Sequence, residues 1–198
     1  METKNETFKC LLRSTKREGV DNLIENLSSK GFFEAPASTV FHLNKDGGLV
    51  EHSLNVYMVA LKLRESMIDF DSSLQEKLPK DSIIIASLLH DICKADIYKK
   101  TVKRQKNSKG QWGDVEGFET DYSNFPVGHG AKSVIMALQA GFKLTKDEIL
   151  AIRWHMHSWD LPFQSADIKA NLNVAKKQCP LIALIIAADG LASNLLEK

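Results

Sequence analysis

His90 and Asp91 stand side by side in "LLHDICK", directly after the apolar run that holds Ile83, Ile84, Ala86, Leu88 and Leu89, and just before Lys94. A run of that kind is buried in a folded chain, and a carboxylate carried in with it needs a partner, because desolvating an unpaired charge is strongly unfavourable. With no cationic residue before Lys94, two ligand-type side chains at one helix end point to a metal ion as that partner. Such an ion needs further ligands. Residues of the right types are His52 near one helix start, His129 near another in "PVGHGAKS", His155 near a helix end in "IRWHM", and Asp189 inside an apolar helix. Each has an ordinary reading, since a lone histidine on an apolar face is usually a hydrogen-bonded core residue. Asp189, set among Ile, Ala and Leu, is the hardest to place without a nearby cation. Imidazole and carboxylate donors together suit Mn, Fe, Co, Ni or Zn, and the oxygen positions also admit Mg.

The elements that must position these residues read as mainly helical. Val20, Leu23, Ile24 and Leu27 recur at helical spacing and stop at Gly31; Leu49 to Leu63 forms a second helix with His52 in its first turns. Asp81 or Ser82 can cap the helix that ends at His90 and Asp91. Pro126 suits the first turn of a helix running to about Ala140, and "TKDE" from Thr145 has the form of a capping box for the helix carrying Trp154 and His155. A last apolar helix runs from about Pro180 to Leu196. Between Tyr98 and Tyr122 the helical pattern gives way to a β-hairpin with "NSKG" at its turn, basic on its first arm (Lys99, Lys100, Lys103, Arg104, Lys106, Lys109) and acidic on its second (Asp114, Glu116, Glu119, Asp121). Those charges either pair and stay solvated or make the hairpin a substrate-facing flap. The expected organisation is one domain over residues 1–198, with 1–34 as a helical extension and 35–198 as the core.

The 198 residues, 43% hydrophobic and 26% charged, are enough for one well-formed core, and a formal charge of +1 supplies no global drive toward nucleic acid or membrane. No signal peptide or membrane anchor is evident, so a cytoplasmic location is expected. Three widely spaced cysteines fit a reducing compartment, and Cys93 reads more readily as a small buried thiol than as a nucleophile.

The order of a histidine (His52), a His-Asp pair (His90, Asp91) and a distant aspartate (Asp189), within "GGLVEHSLNV", "LLHDICK" and "AADGLAS", resembles the HD-domain superfamily of metal-dependent phosphohydrolases. The likeness spans about residues 35–195. It is nearest to bacterial stand-alone HD proteins with "APAS", "GHGxKS" and "RWHM" and, more distantly, to the HD domain appended to a bacterial 3′ to 5′ exoribonuclease. Cys93 stands where many members have glycine. The resemblance implies an HD-domain helical bundle and a site of two divalent ions bridged by Asp91, with His52, His90 and Asp189 on one ion and His129 and His155 on the other. His155 fits the family motif better than His157, and His42 reads as a supporting residue. Lys94 would reach a phosphate oxygen, with Lys132 and Arg153 as further substrate contacts.

The implied activity is hydrolysis of a phosphate ester in a nucleotide, cyclic nucleotide or short oligonucleotide by a metal-activated water. A different class of function, a nucleotide- or RNA-binding module that keeps the metal site without turnover, is suggested by the basic arm with Tyr98 and Trp112 at its edges. Di-iron oxygenase chemistry on the same scaffold is a distant third. A membrane partner is not expected, and "GFF" at 31–33 belongs either to the core or to a surface between copies of the chain.

Overall fold

A computed structural model describes residues 3–106, 108–157 and 165–197 of the chain; Asn107, in the expected hairpin turn, lies outside them. The chain is mostly helical. In order come α1 (Lys4–Ser14), α2 (Val20–Ser29), α3 (Gly48–Phe70), α4 (Leu74–Lys77), α5 (Lys80–Leu89), α6 (Lys94–Ile97), β1 (Tyr98–Lys106), β2 (Trp112–Thr120), α7 (His129–Gln139), α8 (Lys146–Trp154), α9 (Ala166–Gln178) and α10 (Pro180–Leu191), then a π-helical turn (Ala192–Leu196).

The hydrophobic pattern sets the layout. Every residue of α5 from Ser82 to Leu89 is buried, which places this helix at the centre, in contact with α1, α3, α7, α8 and α10. α10 carries the same all-round apolar character and packs on α3, α5 and α8. Phe8 and Leu12 of α1 join Phe32 and Phe33 in the same buried cluster, where the rings of Phe32 and Phe33 meet edge to face at 5.2 Å. The "GFF" segment therefore belongs to the core. No single helix among the described residues is long and apolar enough to cross a membrane. Cys93 and Cys179 are buried, and no disulfide joins the cysteines.

A buried polar knot ties three parts of the bundle together. Thr145 and Glu148 form the capping box that opens α8, and the Glu148 carboxylate also takes two hydrogen bonds from Arg17 (2.9 and 2.8 Å) and one from Ser82 (2.8 Å). Ser82 is thereby engaged with α8 instead of capping α5. The expected cap is corrected accordingly: α5 begins at Lys80 behind Pro79, and Asp81 lies in its first turn, where a carboxylate suits the helix dipole.

Two further expectations are revised. Pro126 is not in a helix; Phe125 (φ 52) and Gly128 (φ 86) turn the chain, so α7 starts three residues later and His129 becomes its first residue. The last helix is α-helical only to Leu191, after which Ala192–Leu196 wind as a wider π turn that carries the following Glu197 inward. α9 was not foreseen in the sequence.

The hairpin is antiparallel and leaves directly from α6, closed at its root where Asp121 N–H donates to the Ile97 carbonyl (2.8 Å). Its register sets Lys99 opposite Glu119 and Arg104 opposite Asp114. Phe118 is its buried anchor, while Trp112 is 60% exposed with Lys106 over its ring. Between the hairpin and the loop before α3 lies a cavity of about 490 Å³, lined by Asn44, Asp46, Lys100, Val102, Glu116 and Phe118. That loop packs close, because Gly48 has no side chain and a Cβ there would lie 2.1 Å from the Leu43 carbonyl oxygen.

Candidate metal centre

His90 and His155 reach the centre by the same local device. Each is the residue that follows a helix, α5 and α8 respectively, where the last carbonyls lack intrahelical partners. Each imidazole folds back so that Nδ1–H donates to the carbonyl three residues earlier, His90 to Ser87 (2.8 Å) and His155 to Ile152 (2.7 Å). That bond satisfies the helix end, fixes the tautomer and leaves the Nε2 lone pair facing outward from the helix. The negative ends of both helix dipoles face the same spot, a location that favours a cation. α8 ends before His155, so the angular spacing of an α-helix does not govern His155 and His157. His157 takes a left-handed turn (φ 35), and only His155 joins the ligand clusters among the described residues.

His52 enters from α3 with its ring fully buried. Its Nδ1–H donates to the Glu197 carboxylate (3.0 and 3.1 Å), and its Nε2 lies 3.1 Å from His90 Nε2, 3.4 Å from Asp189 Oδ1 and 3.6 Å from Asp91 Oδ2. Asp91 sits in the middle. Its Oδ2 lies 3.4 Å from His90 Nε2 and 2.6 Å from Lys94 Nζ, whereas its Oδ1 meets His129 Nε2 and lies 3.2 Å from His155 Nε2. One carboxylate thus presents a different oxygen to each of two donor sets. Three of the resulting groups, His52-His90-Asp91, Asp91-His129-His155 and His90-His155-Asp189, bring their ligand atoms within 4.8 Å of one another.

His129 owes its place to a close helix crossing. A Cβ on the next residue, Gly130, would stand 2.3 Å from the Arg153 carbonyl oxygen, so glycine lets α7 lie against α8 and brings His129 beside His155. His52, His90, Asp91 and His155 are nearly or fully buried, while the side chains of His129 and Asp189 keep about a fifth of their surface, marking the open side.

The charged groups act on one another at close range. Burial alone would push His52 down, but the Asp189, Asp91 and Glu197 carboxylates outweigh it and raise its pKa to about 10. Burial likewise opposes ionisation of Asp91, yet Lys94, His90 and His129 hold its pKa well below the usual carboxylate range. Lys94 is raised, because Asp91 overcomes its burial, and Asp189 is lowered, because His52 overcomes its own. Burial wins at His155, whose pKa falls and which stays neutral.

The residues fit a divalent ion on grounds internal to the chain. His155 Nε2 is fully buried without a hydrogen-bond partner, although it is the lone pair aimed at Asp91. A buried orphan of this kind beside a carboxylate and further imidazoles is the donor set that Mn, Fe, Co, Ni or Zn takes.

The remaining sequence candidates are placed differently. Lys94 is at the centre. Lys132 is buried in an ion pair with Asp96 and donates to the Asn124 carbonyl, so its ammonium braces α7 against α6. Arg153 stacks over the ring of Trp154, with its guanidinium carbon 4.2 Å from the ring centre. His42 lies beside the cluster, its ring 5.2 Å from that of His52 and its Nε2 buried without a hydrogen-bond partner, 3.9 Å from Glu197. Glu197 and Asn55, which donates to it (2.9 Å), were not singled out in the sequence. Asn55 had one available signal, its place one helical turn after His52. Glu197, at the end of "NLLE", had none.

The HD domain family matches residues 49–194, most of the chain, and the protein belongs to that family. A dihydroneopterin 2′,3′-cyclic phosphate phosphodiesterase from Methanocaldococcus jannaschii is 39% identical over 61 residues, a stretch covering 31% of this chain and 23% of that relative. No solved structure matches the chain.

Proposed function

We propose that the protein is a two-metal phosphodiesterase that opens a phosphodiester in a nucleotide-like compound, with 2′,3′-cyclic phosphates, cyclic nucleotides and short oligonucleotides as the substrate class. The observation that carries this reading is the Asp91 carboxylate, with His52, His90 and Lys94 around one oxygen and His129 and His155 around the other. Divalent ions in such a site acidify water and neutralise charge on phosphoryl oxygens. The chain's own contribution is positioning. His90 and His155 are locked by their helix ends, and Lys94 is held charged at the Asp91 oxygen from which it can reach a phosphate.

Two features favour a diester with a ring system attached. The relative that matches part of the chain is named for a 2′,3′-cyclic phosphate substrate. In addition, the loop that carries His42 to the centre exposes Phe41 and borders the cavity beside the hairpin, whose Lys100 and Asn44 can meet polar ring edges while Val102 and Phe118 offer apolar contact. Lys132 and Arg153, already engaged elsewhere, serve this reading as supports for α7 and α8. The sequence likeness to an HD domain attached to an exoribonuclease is the reason oligonucleotides stay in the class.

The test is hydrolysis of that panel by protein of measured metal content, with Mn, Co, Ni, Fe, Zn and Mg each supplied. Ring opening of a cyclic phosphate to a phosphomonoester is expected. Metal-loaded protein that turns over no member of the panel overturns the proposal. If it instead binds RNA in a salt-sensitive manner, and neutralising Lys99, Lys100, Lys103 and Arg104 abolishes that binding, the protein is a binding module.

A further inference from the structure

Four histidines surround Asp91, but their outer nitrogens are not held alike. His90 and His155 donate Nδ1–H to neutral backbone carbonyls. His52 donates it to a carboxylate: Glu197 receives the Nδ1–H on both oxygens at 3.0 and 3.1 Å, and its side chain is completely buried. Glu197 is itself oriented, because Asn55 donates to Oε1 at 2.9 Å and His42 stands 3.9 Å from Oε2. The π-helical turn Ala192–Leu196 delivers it there.

The chemical consequence is an imbalance between the two donor sets. A carboxylate accepting from the far nitrogen of an imidazole raises the donor strength of the near one more than a neutral carbonyl does, and outer contacts of this sort are worth about 10- to 100-fold in metal affinity. Asp189 lies within 3.4 Å of His52 Nε2 and also shares a ligand group with His90 and His155, so the difference between the two sides rests on the Glu197 contact to His52. The buried Glu197 carboxylate thus adds its charge and donor strength on the His52 side.

We propose that Glu197 is a positioning residue that acts through His52 and makes the His52-His90-Asp189 half of the centre the tightly held half, leaving the His129-His155 half as the weaker, exchangeable one. The inference rests on the metal-centre reading above and adds an order of filling to it. Glu197 touches neither substrate nor the reacting atoms.

The experiment is a titration of metal-free full-length protein with Mn(II), following heat and free Mn(II), for the wild type, Glu197→Gln and Glu197→Ala. Two steps are expected in the wild type. Glu197→Gln, which keeps an acceptor oxygen but not the charge, weakens the first step by about tenfold, and Glu197→Ala weakens it by up to about 100-fold; the second step stays within twofold in both. In parallel, ¹⁵N spectra of the ring nitrogens of metal-free protein report directly on the proton at His52 Nδ1. A protected Nδ1 proton at His52 in the wild type, retained in Glu197→Gln and lost in Glu197→Ala with the His90 ring signals unchanged, shows that Glu197 acts on His52 and not on the fold at large. An unchanged first step in Glu197→Ala, or equal weakening of both steps, overturns the proposal while leaving the metal centre intact. Wild-type protein that takes up no Mn(II) removes the metal-centre reading and this order of filling together.

Discussion

Asp91 offers one carboxylate oxygen to each donor set, so its loss cannot be confined to one of them. Asp91→Ala is expected to reduce bound metal from about two ions per chain to nearly none, measured by elemental mass spectrometry, whereas His129→Ala should remove about one. Lys94→Met tests a different role. With the metal content unchanged, kcat should fall by about 100-fold, the size of effect seen when one preorganised donor to developing charge is removed. Metal uptake should also depend on pH with a definite sign. His52 has a folded-state pKa of about 10 and His129 is raised as well, so both carry protons at neutral pH in the metal-free protein, and an incoming ion must displace them. Apparent affinity therefore rises with pH between 6 and 8, by up to about tenfold per unit for each proton released. A flat profile in calorimetry would show that these protons are not displaced. For the metal-free fold the linkage runs the other way: the His52 contribution is complete below about pH 6.5 and fades as pH climbs through 10.

Helices place these groups to within the tolerance that chemistry demands, and two of their contacts can be tested alone. Gly130→Ala forces α7 away from the Arg153 carbonyl and takes His129 with it. Hydrolysis should drop by about 100-fold, with a stability loss of only about 1–3 kcal/mol in urea denaturation. Glu148→Ala acts on the fold instead, leaving Arg17 and Ser82 without their carboxylate, and should cost about 3 kcal/mol; replacing Arg17 and Glu148 together by Met should recover much of it. Much of this layer was legible beforehand. The apolar run of α5, the box at Thr145 and the charge-segregated hairpin each rest on local spacing, which a sequence displays directly. What stayed hidden depends on partners distant in the chain. Ser82 looked like a helix cap because its bond to Glu148 spans 66 positions, and Pro126 looked like a helix start because the left-handed turns at Phe125 and Gly128 leave no periodic trace. The same holds for the site: the ligand types announced themselves by being polar in apolar surroundings, while Glu197 did not.

Across the whole molecule, the centre concentrates charged and polar groups inside an apolar bundle, and a bound ion should relieve that cost. Saturating metal at about 100 times its dissociation constant is expected to add about 2.7 kcal/mol to stability, read as a rise in Tm that a chelator reverses. The π-helical turn has a consequence for when the centre comes into being. His52 and Glu197 are 145 positions apart, and Asp189 lies on the same final segment. A partly folded chain with α3, α5, α7 and α8 assembled but α10 undocked would own Asp91, His129 and His155 and lack both outlying carboxylates. Contacts that close such long loops are entropically the most demanding to form. Assembly of the complete ligand set is thereby tied to completion of the fold, and an immature chain holds only part of the centre.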